Sequence, residues 1–250
     1  MNQDLLALVK ARQWFYAFEL PDGSVTPTDI DPAVVQLHAT RRDHLRDVIA
    51  TIPDAARMSA LDLASHEGFF TVELARHFNW VQGVELRERS ILAAEMVTAL
   101  LGHHNAGYRQ MNLLQVAPAE EPSLAADFVL LYGLLYHLED PLRLLRLACR
   151  LARRHILLET QVLPYDLSGR VEDGSYQWQR DIHGSFGLVE DYSERREGGS
   201  AEFALVPSVN ALRYLLQRLG CKEVRVLPAR ATDHEQFRRG ARVIIHGIKG

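Results

Sequence analysis

The chain has 250 residues, of which 47% are apolar and 24% charged, and it carries a formal net charge of -4. Those proportions exclude wholesale disorder and fibrous repeats and suit a chain that buries one sizeable core. The negative balance excludes a protein that coats nucleic acid through bulk positive charge, because phosphate binding rests on clustered Lys and Arg.

From the N-terminus, Leu5, Leu6, Leu8 and Val9 among polar neighbours predict a short amphipathic helix. An aromatic run, Trp14, Phe15, Tyr16 and Phe18, follows before the break at Pro21-Asp22-Gly23. Asp31-Pro32 reads as an N-cap with proline in the first helical position and opens a helix through about Ala50, stopped before Pro53. From Met58 onwards strands and helices alternate. The spacing predicts a strand at Ala60–Ala64, a helix at Phe69–Phe78, a strand at Val81–Leu86, a helix at Ser90–Leu101 and a weaker strand at Tyr108–Leu113. A strong strand at Asp127–Tyr132, a proline-opened helix at Pro141–Leu151 and a strand at His155–Thr160 complete the run. The stretch from Val162 to Pro207 has no clean period. A helix at Ser208–Leu219 stops at Gly220, and strands at Lys222–Leu227 and Ala241–Ile248, joined by a turn-like segment, read as an antiparallel hairpin.

Alternation of this kind predicts an α/β fold: a doubly wound, mostly parallel, seven-stranded Rossmann-like sheet with an antiparallel hairpin at its C-terminal edge. The expected organisation is one domain over residues 1–250. Its parts are an N-terminal helical cap (1–55), a core sheet (56–161 and 207–250) and an insertion after strand 5 that lies over the sheet as a lid (162–206). Apolar stretches such as Phe128 to Leu135 are far shorter than the roughly 20 residues that span a bilayer, so neither a membrane span nor a signal peptide is expected. Cys149 and Cys221 each fall in an apolar periodic segment and lack metal-ligand spacing, which fits reduced core thiols in a cytoplasmic protein. No metal site is expected, since His103-His104 is an adjacent pair without a third ligand.

Ligands of doubly wound sheets bind beyond the carboxyl ends of the strands, so the first strand-to-helix turn, Leu61-Asp62-Leu63-Ala64-Ser65-His66-Glu67-Gly68-Phe69-Phe70, is the first place to search. Gly68 opens the helix and lets the backbone approach a ligand, and Ala64 stands where a tight turn usually wants glycine. A plain connection without ligand has the same outline. Glu85 ends the second strand about twenty residues on, where a carboxylate accepts hydrogen bonds from ribose hydroxyls. Asn112, beyond the third strand, offers an amide to an adenine edge or makes an Asx-turn. The turn lacks the Gly-x-Gly-x-x-Gly of dinucleotide-binding dehydrogenases and presents Glu67, whose charge repels a pyrophosphate. Asp62 suits an ammonium group better than a phosphate.

The run Asp62 to Gly68 resembles the nucleoside-binding turn of class I S-adenosylmethionine-dependent methyltransferases. The segment Leu131-Tyr132-Gly133-Leu134-Leu135-Tyr136-His137-Leu138-Glu139-Asp140-Pro141 resembles the Gly-x-Leu-Tyr-His-x-x-x-Pro signature of the group that includes the tRNA wobble-uridine (5-hydroxyuridine) carboxymethyltransferase, and Phe18 to Gly23 is similar to a segment of N-terminal caps in that group. The resemblance runs from Trp14 to about Leu227 and is strongest between Leu61 and Glu159. It implies S-adenosyl-L-methionine as cofactor, with Asp62, Ala64, Ser65 and Gly68 in the turn on its methionine side, Glu85 on the ribose, Asn112 near adenine, and Tyr132 to His137 along the floor of the site. Ala64 and His66 stand where many methyltransferases carry glycine. The chain lacks an Arg-Lys-Gly-Pro-Phe-like segment of the kind the carboxymethyltransferase carries, so ordinary methyl transfer is expected over use of a carboxylated cofactor.

His137 is the first candidate base, with Glu159, Asp181 and His183 behind it, and Tyr136 is a candidate to hold the methyl group or the acceptor. The bland readings are a His137 that bonds backbone at a helix start, a Glu159 paired with an arginine, and a Tyr136 packed in the core. Trp178, Phe186 and Tyr192 are candidates for an acceptor lid. The expected function is methyl transfer to an oxygen or nitrogen of a small-molecule acceptor. The alternatives are a tRNA uridine-modifying enzyme, to which the basic run Arg146, Arg150, Arg153 and Arg154 points, and a non-catalytic nucleoside-binding module.

Overall fold

The computed structural model describes residues 2–172, 179–191 and 202–250. Contacts group the chain into two compact units, Met1–Leu131 with Leu151–Arg154, and Tyr132–Arg150 with His155–Gly250.

The first unit opens with helix α1 (Gln3–Ala11), capped by Asn2, and α2 (Pro32–Ala50). Asp31 caps α2 by accepting the Ala33 N–H at 2.8 Å, with Pro32 in the first turn as the sequence predicts. Strand β1 (Ser59–Leu63), α3 (Phe69–Ala75), β2 (Trp80–Glu85), α4 (Glu88–Leu100), β3 (Ala106–Gln110), the short α5 (Glu121–Leu124) and β4 (Ala126–Tyr132) follow. β1 pairs in parallel with β2 on one side and β4 on the other, so Leu63 lies opposite both Val84 and Leu131. Both faces of β1 are covered, which is why Ala60 to Leu63 are all buried and the strand reads as a run, not an alternation.

Two boundaries differ from expectation. α3 ends at Ala75 instead of Phe78, because the Asn105 side-chain amide donates to the carbonyls of Ala75 (2.8 Å) and Phe78 (2.9 Å), which gives the chain a partner other than a further helical turn. β3 lies earlier than the predicted Tyr108–Leu113, since its parallel register with β2 sets Gly83 opposite Tyr108 and Glu85 opposite Gln110. α3 is buried along its whole length, and its Glu73 is held by a two-pronged contact from Arg46 of α2 at 2.7 and 2.8 Å.

The second unit contains α6 (Pro141–Leu151, but for its last residue), most of β5 (Ala152–Gln161), β6 (Ser168–Glu172), β7 (Gln179–His183), β8 (Phe186–Glu190), β9 (Phe203–Pro207), α7 (Val209–Arg218), β10 (Cys221–Val226), α8 (Glu235–Arg238) and β11 (Arg242–Lys249). The stretch read as lacking regular structure holds two antiparallel hairpins, β6–β7 and β8–β9. The strands of the first, Ser-Gly-Arg-Val-Glu and Gln-Arg-Asp-Ile-His, are largely polar, so backbone pairing forms them without the apolar alternation that sequence reading depends on. The last two strands form the expected antiparallel hairpin, with the one-turn α8 between them, and β11 also runs antiparallel to β5. The seven strands of the main sheet follow the order β10-β11-β5-β4-β1-β2-β3. Cys149 and Cys221 are free thiols and buried. No helix among the described residues is long and apolar enough to cross a membrane.

Candidate active site

The β1–α3 turn is the most constrained backbone of the first unit. Among the described residues only Ala64 (φ 60°) and His66 (φ 50°) adopt a left-handed conformation without being glycine, and Gly68 (φ 82°) adopts it as the N-cap of α3. A left-handed L-residue costs about 1–2 kcal/mol, and such strain persists where surrounding contacts over-determine it. Three contacts do so here. Ser65 N–H donates to the Val84 carbonyl (3.0 Å), Gly68 N–H to the Ser65 carbonyl (2.8 Å), and His66 N–H to Glu85 Oε2 (2.9 Å). Gly68 is also required for space, since a Cβ there would lie 2.4 Å from the Tyr108 hydroxyl and 2.9 Å from Ala94 Cβ.

Two carboxylates converge on this turn from adjacent strands. Asp62, in β1, is buried and accepts the Thr71 hydroxyl of α3 at 2.7 Å. Glu85, at the tip of β2, is buried and bridges His66 N–H and Arg87 N–H, each at 2.9 Å. Burial first, and the negative charge of Glu85 after it, push the Asp62 carboxyl up to about 7. Among the described residues neither acid has an ion-pair partner. The structure thus brings Asp62, Ala64, Ser65, Gly68 and Glu85 together, in the positions that parallel pairing of β1 with β2 dictates.

Glu67 has another task than the one read from sequence. Its carboxylate turns to the N-terminal segment, accepting Phe15 N–H at 2.7 Å and meeting Arg12 at 3.3 Å, so it fastens the aromatic run to the turn. The Phe15 ring stands 5.1 Å from His66, and Tyr16 stacks on Phe69 at 4.9 Å with 7° between planes. The charges that disfavour a pyrophosphate at the turn are therefore those of Asp62 and Glu85. Ser65 contributes backbone to the turn, while its buried hydroxyl faces Gly83 and has no hydrogen-bond partner among the described residues. Asn112 uses its Oδ1 to accept Leu114 N–H at 3.0 Å, which is the Asx-turn.

In the second unit Tyr132 is buried at the end of β4, and Gly133 (φ 69°) turns the chain with its N–H on the Glu159 carbonyl at 3.1 Å. The 3₁₀ turn Leu135–His137 then presents Tyr136 and His137, both half-buried. Asp191 lies 3.1 Å (Oδ2) and 3.3 Å (Oδ1) from His137 Nδ1. Glu159 is fully buried and paired with Arg242 of β11 at 2.9 Å, and the Arg242 guanidinium sits over the Tyr136 ring at 4.6 Å. The arginine partner of Glu159 is the bland reading of that residue, and the pair acts on Tyr136 as a prop.

Of the other candidates, Asp181 pairs with Arg170 on an exposed hairpin at 3.1 Å, and His183 stacks on Tyr214 at 3.9 Å. Phe186 opens β8, while Trp178 and Tyr192 lie outside the described residues. Sequence reasoning missed Thr71, Asp191 and Arg242. Thr71 was within reach, three residues past Gly68 on a helix opened by the turn, whereas only tertiary pairing singles out the other two.

A sheet ordered β10-β11-β5-β4-β1-β2-β3, with an antiparallel β11 between β10 and β5 and a constrained acidic turn after β1, is a Rossmann-like sheet of the kind found in methyltransferases. The chain belongs to the methyltransferase-domain family, whose model, "Methyltransferase domain", matches residues 37–222. Among solved structures, the N-terminal domain of EvdMO1 with SAH bound aligns at a TM-score of 0.74 and 23% identity, over 100% of this chain and 98% of that one. The EvdMO1 structure of greater length aligns at 0.62 and 23%, over 99% of this chain and 47% of that one. Magnesium protoporphyrin IX methyltransferase (ChlM) from Synechocystis PCC 6803, with bound SAH, aligns at 0.57 and 12%, over 89% of each chain. These are likenesses of fold. No curated protein matches the chain.

Proposed function

We propose that the protein is an S-adenosyl-L-methionine-dependent methyltransferase acting on an oxygen or nitrogen of a small-molecule acceptor. The observation that carries this reading is the pair of buried acids, Asp62 and Glu85, at the tips of adjacent strands with no ion-pair partner among the described residues. Such a pair favours a ligand with positive charge and hydroxyl groups over one with phosphates. S-adenosylmethionine fits on both counts, and when bound it supplies a methyl group on a sulfonium whose departure leaves a neutral thioether. The solved relatives crystallised with SAH, one of them in the presence of D-fucose, support both cofactor and acceptor class.

In this reading Asp62 meets the ammonium, Glu85 the ribose, and Ala64, Ser65 and Gly68 give the backbone of the methionine side. Asn112 and Tyr132 stand toward the base and the floor. His137 takes the acceptor's proton, while Tyr136, held against Arg242 by the Glu159 ion pair, shapes the acceptor side. Positioning is the larger part of such catalysis, worth roughly 7–11 kcal/mol in favourable models, and a placed base adds about 10²–10⁴-fold.

Calorimetry with S-adenosylmethionine tests the reading. The wild-type protein binds it, Glu85→Gln binds it at least about tenfold more weakly (~1.4 kcal/mol) with its fold intact by circular dichroism, and ATP does not compete. Unchanged affinity in Glu85→Gln removes the ribose assignment, and absence of binding by the wild type removes the reading altogether, leaving a non-catalytic module.

One observation favours a tRNA acceptor: Arg143, Arg146 and Arg150 lie exposed at helical spacing on α6. A tRNA complex that forms at low salt and weakens steeply as salt rises supports that reading, and no gel shift at low salt excludes it.

A further inference from the structure

The 3.1 Å contact between His137 Nδ1 and Asp191 is built from two directions. His137 sits on the short turn Leu135–His137, whose next residue, Leu138, gives its carbonyl to Leu205 N–H of β9 at 2.9 Å. Asp191 extends the β8–β9 hairpin by one further pair, its N–H on the Glu202 carbonyl at 3.0 Å. One hairpin therefore grips the histidine's turn and delivers the carboxylate to the ring. Both side chains are largely withdrawn from water, at 19% and 12% exposure, so the contact is more than a surface ion pair.

A carboxylate at Nδ1 makes that nitrogen the one that carries the proton and leaves the lone pair on Nε2, and it stabilises the imidazolium once Nε2 is protonated. We propose that Asp191 is the positioning residue of a His137 base, and that the acceptor it serves is the un-ionised hydroxyl of an alcohol or phenol. The inference rests on the methyltransferase reading above and narrows it. A carboxylate acceptor arrives ionised, an amine sheds its proton to water before it binds, and a thiol ionises close to neutral pH. A hydroxyl holds its proton until transfer, and that proton is the one an oriented imidazole is suited to take. The hydroxyl proton passes to Nε2, the oxygen forms the new C–O bond to the methyl carbon, and the C–S bond breaks with its electron pair left on sulfur.

Two readouts test it. In ¹⁵N-histidine-labelled wild type at mildly alkaline pH, His137 carries its proton at Nδ1 and its lone pair at Nε2; in Asp191→Ala the proton redistributes toward Nε2. Turnover is followed by mass spectrometry with S-adenosylmethionine and a mixture of phenols, monosaccharides, primary amines and thiols. The products are methyl ethers, Asp191→Ala loses about 100-fold in kcat with KM for the cofactor unchanged, and Asp191→Glu recovers part of the loss. A wild-type His137 protonated at Nε2, an N-methyl or S-methyl product, or an undiminished kcat in Asp191→Ala overturns the inference. Failure of the wild type to bind the cofactor in calorimetry would instead strike the underlying reading, which keeps the two failures apart.

Discussion

Asp62 holds its proton more tightly in the fold than in the unfolded chain, because burial and the charge of Glu85 raise its carboxyl from 3.8 to about 7. With the folded value above the unfolded one, stability is fully present below about pH 4 and is lost as pH rises toward 7, by about 4 kcal/mol if nothing compensates. Asp62→Asn keeps an acceptor for Thr71 and removes the titration. Its melting temperature exceeds that of the wild type at pH 8 and matches it at pH 4.5, while its affinity for S-adenosylmethionine falls. Equal melting differences at the two pH values would contradict the assignment. Sequence spacing was enough to pick out Asp62, Gly68 and Glu85, because strand ends in a parallel sheet are fixed by the alternation of elements. It aimed Glu67 at a ligand, because the Phe15 partner lies 52 residues away, and it was silent on Asp191, 54 residues from His137.

At the scale of elements, the turn works because α3, β2 and α4 close tightly beneath it. Tyr108 of β3 fills that space: its hydroxyl meets Thr98 of α4 at 2.8 Å, and its ring leaves no room for a Cβ at Gly83 or Gly68. Gly68→Ala adds a clash to a left-handed φ, a loss of about 2–4 kcal/mol in urea unfolding. Combining it with Tyr108→Phe, which removes the nearest atom, returns part of that loss; full additivity of the two changes would argue against the clash. Helices α2, α6 and α7 were legible because the caps Asp31 and Ser208 and the first-position proline Pro141 mark where they start. The four strands β6 to β9 were not. They are five residues each, and β6 and β7 are mostly polar, so pairing across the hairpin decides them and no run of side chains announces it.

For the molecule as a whole, pH works against stability at the acid end as well. His246, buried in β11 against His155 at 3.1 Å, is pushed down to about 4, chiefly by burial and then by the charge of His155. A depressed histidine contributes stability above about pH 6.5 that is lost as pH falls toward 4, by roughly 3 kcal/mol. His246→Gln accordingly gains melting temperature over the wild type at pH 4.5 relative to pH 7, and an equal difference between the two proteins at both pH values would show that His246 does not titrate in this way. Asp62 and His246 have opposite signs over nearly the same window, about pH 4 to 7, so in the cofactor-free protein their contributions largely offset each other there. A cation beside Asp62 removes the proton and with it the loss toward neutral pH, which leaves the fall at acid pH to His246. The central claim is that the Asp62–Gly68 turn and Glu85 cradle an adenosyl sulfonium, and a crystal structure grown with S-adenosylhomocysteine tests it most directly. The account predicts the ribose on Glu85 and the amino-acid end beside Asp62, with Ala64 and His66 still left-handed; a ligand bound elsewhere, with the turn unchanged and closed against it, would contradict it.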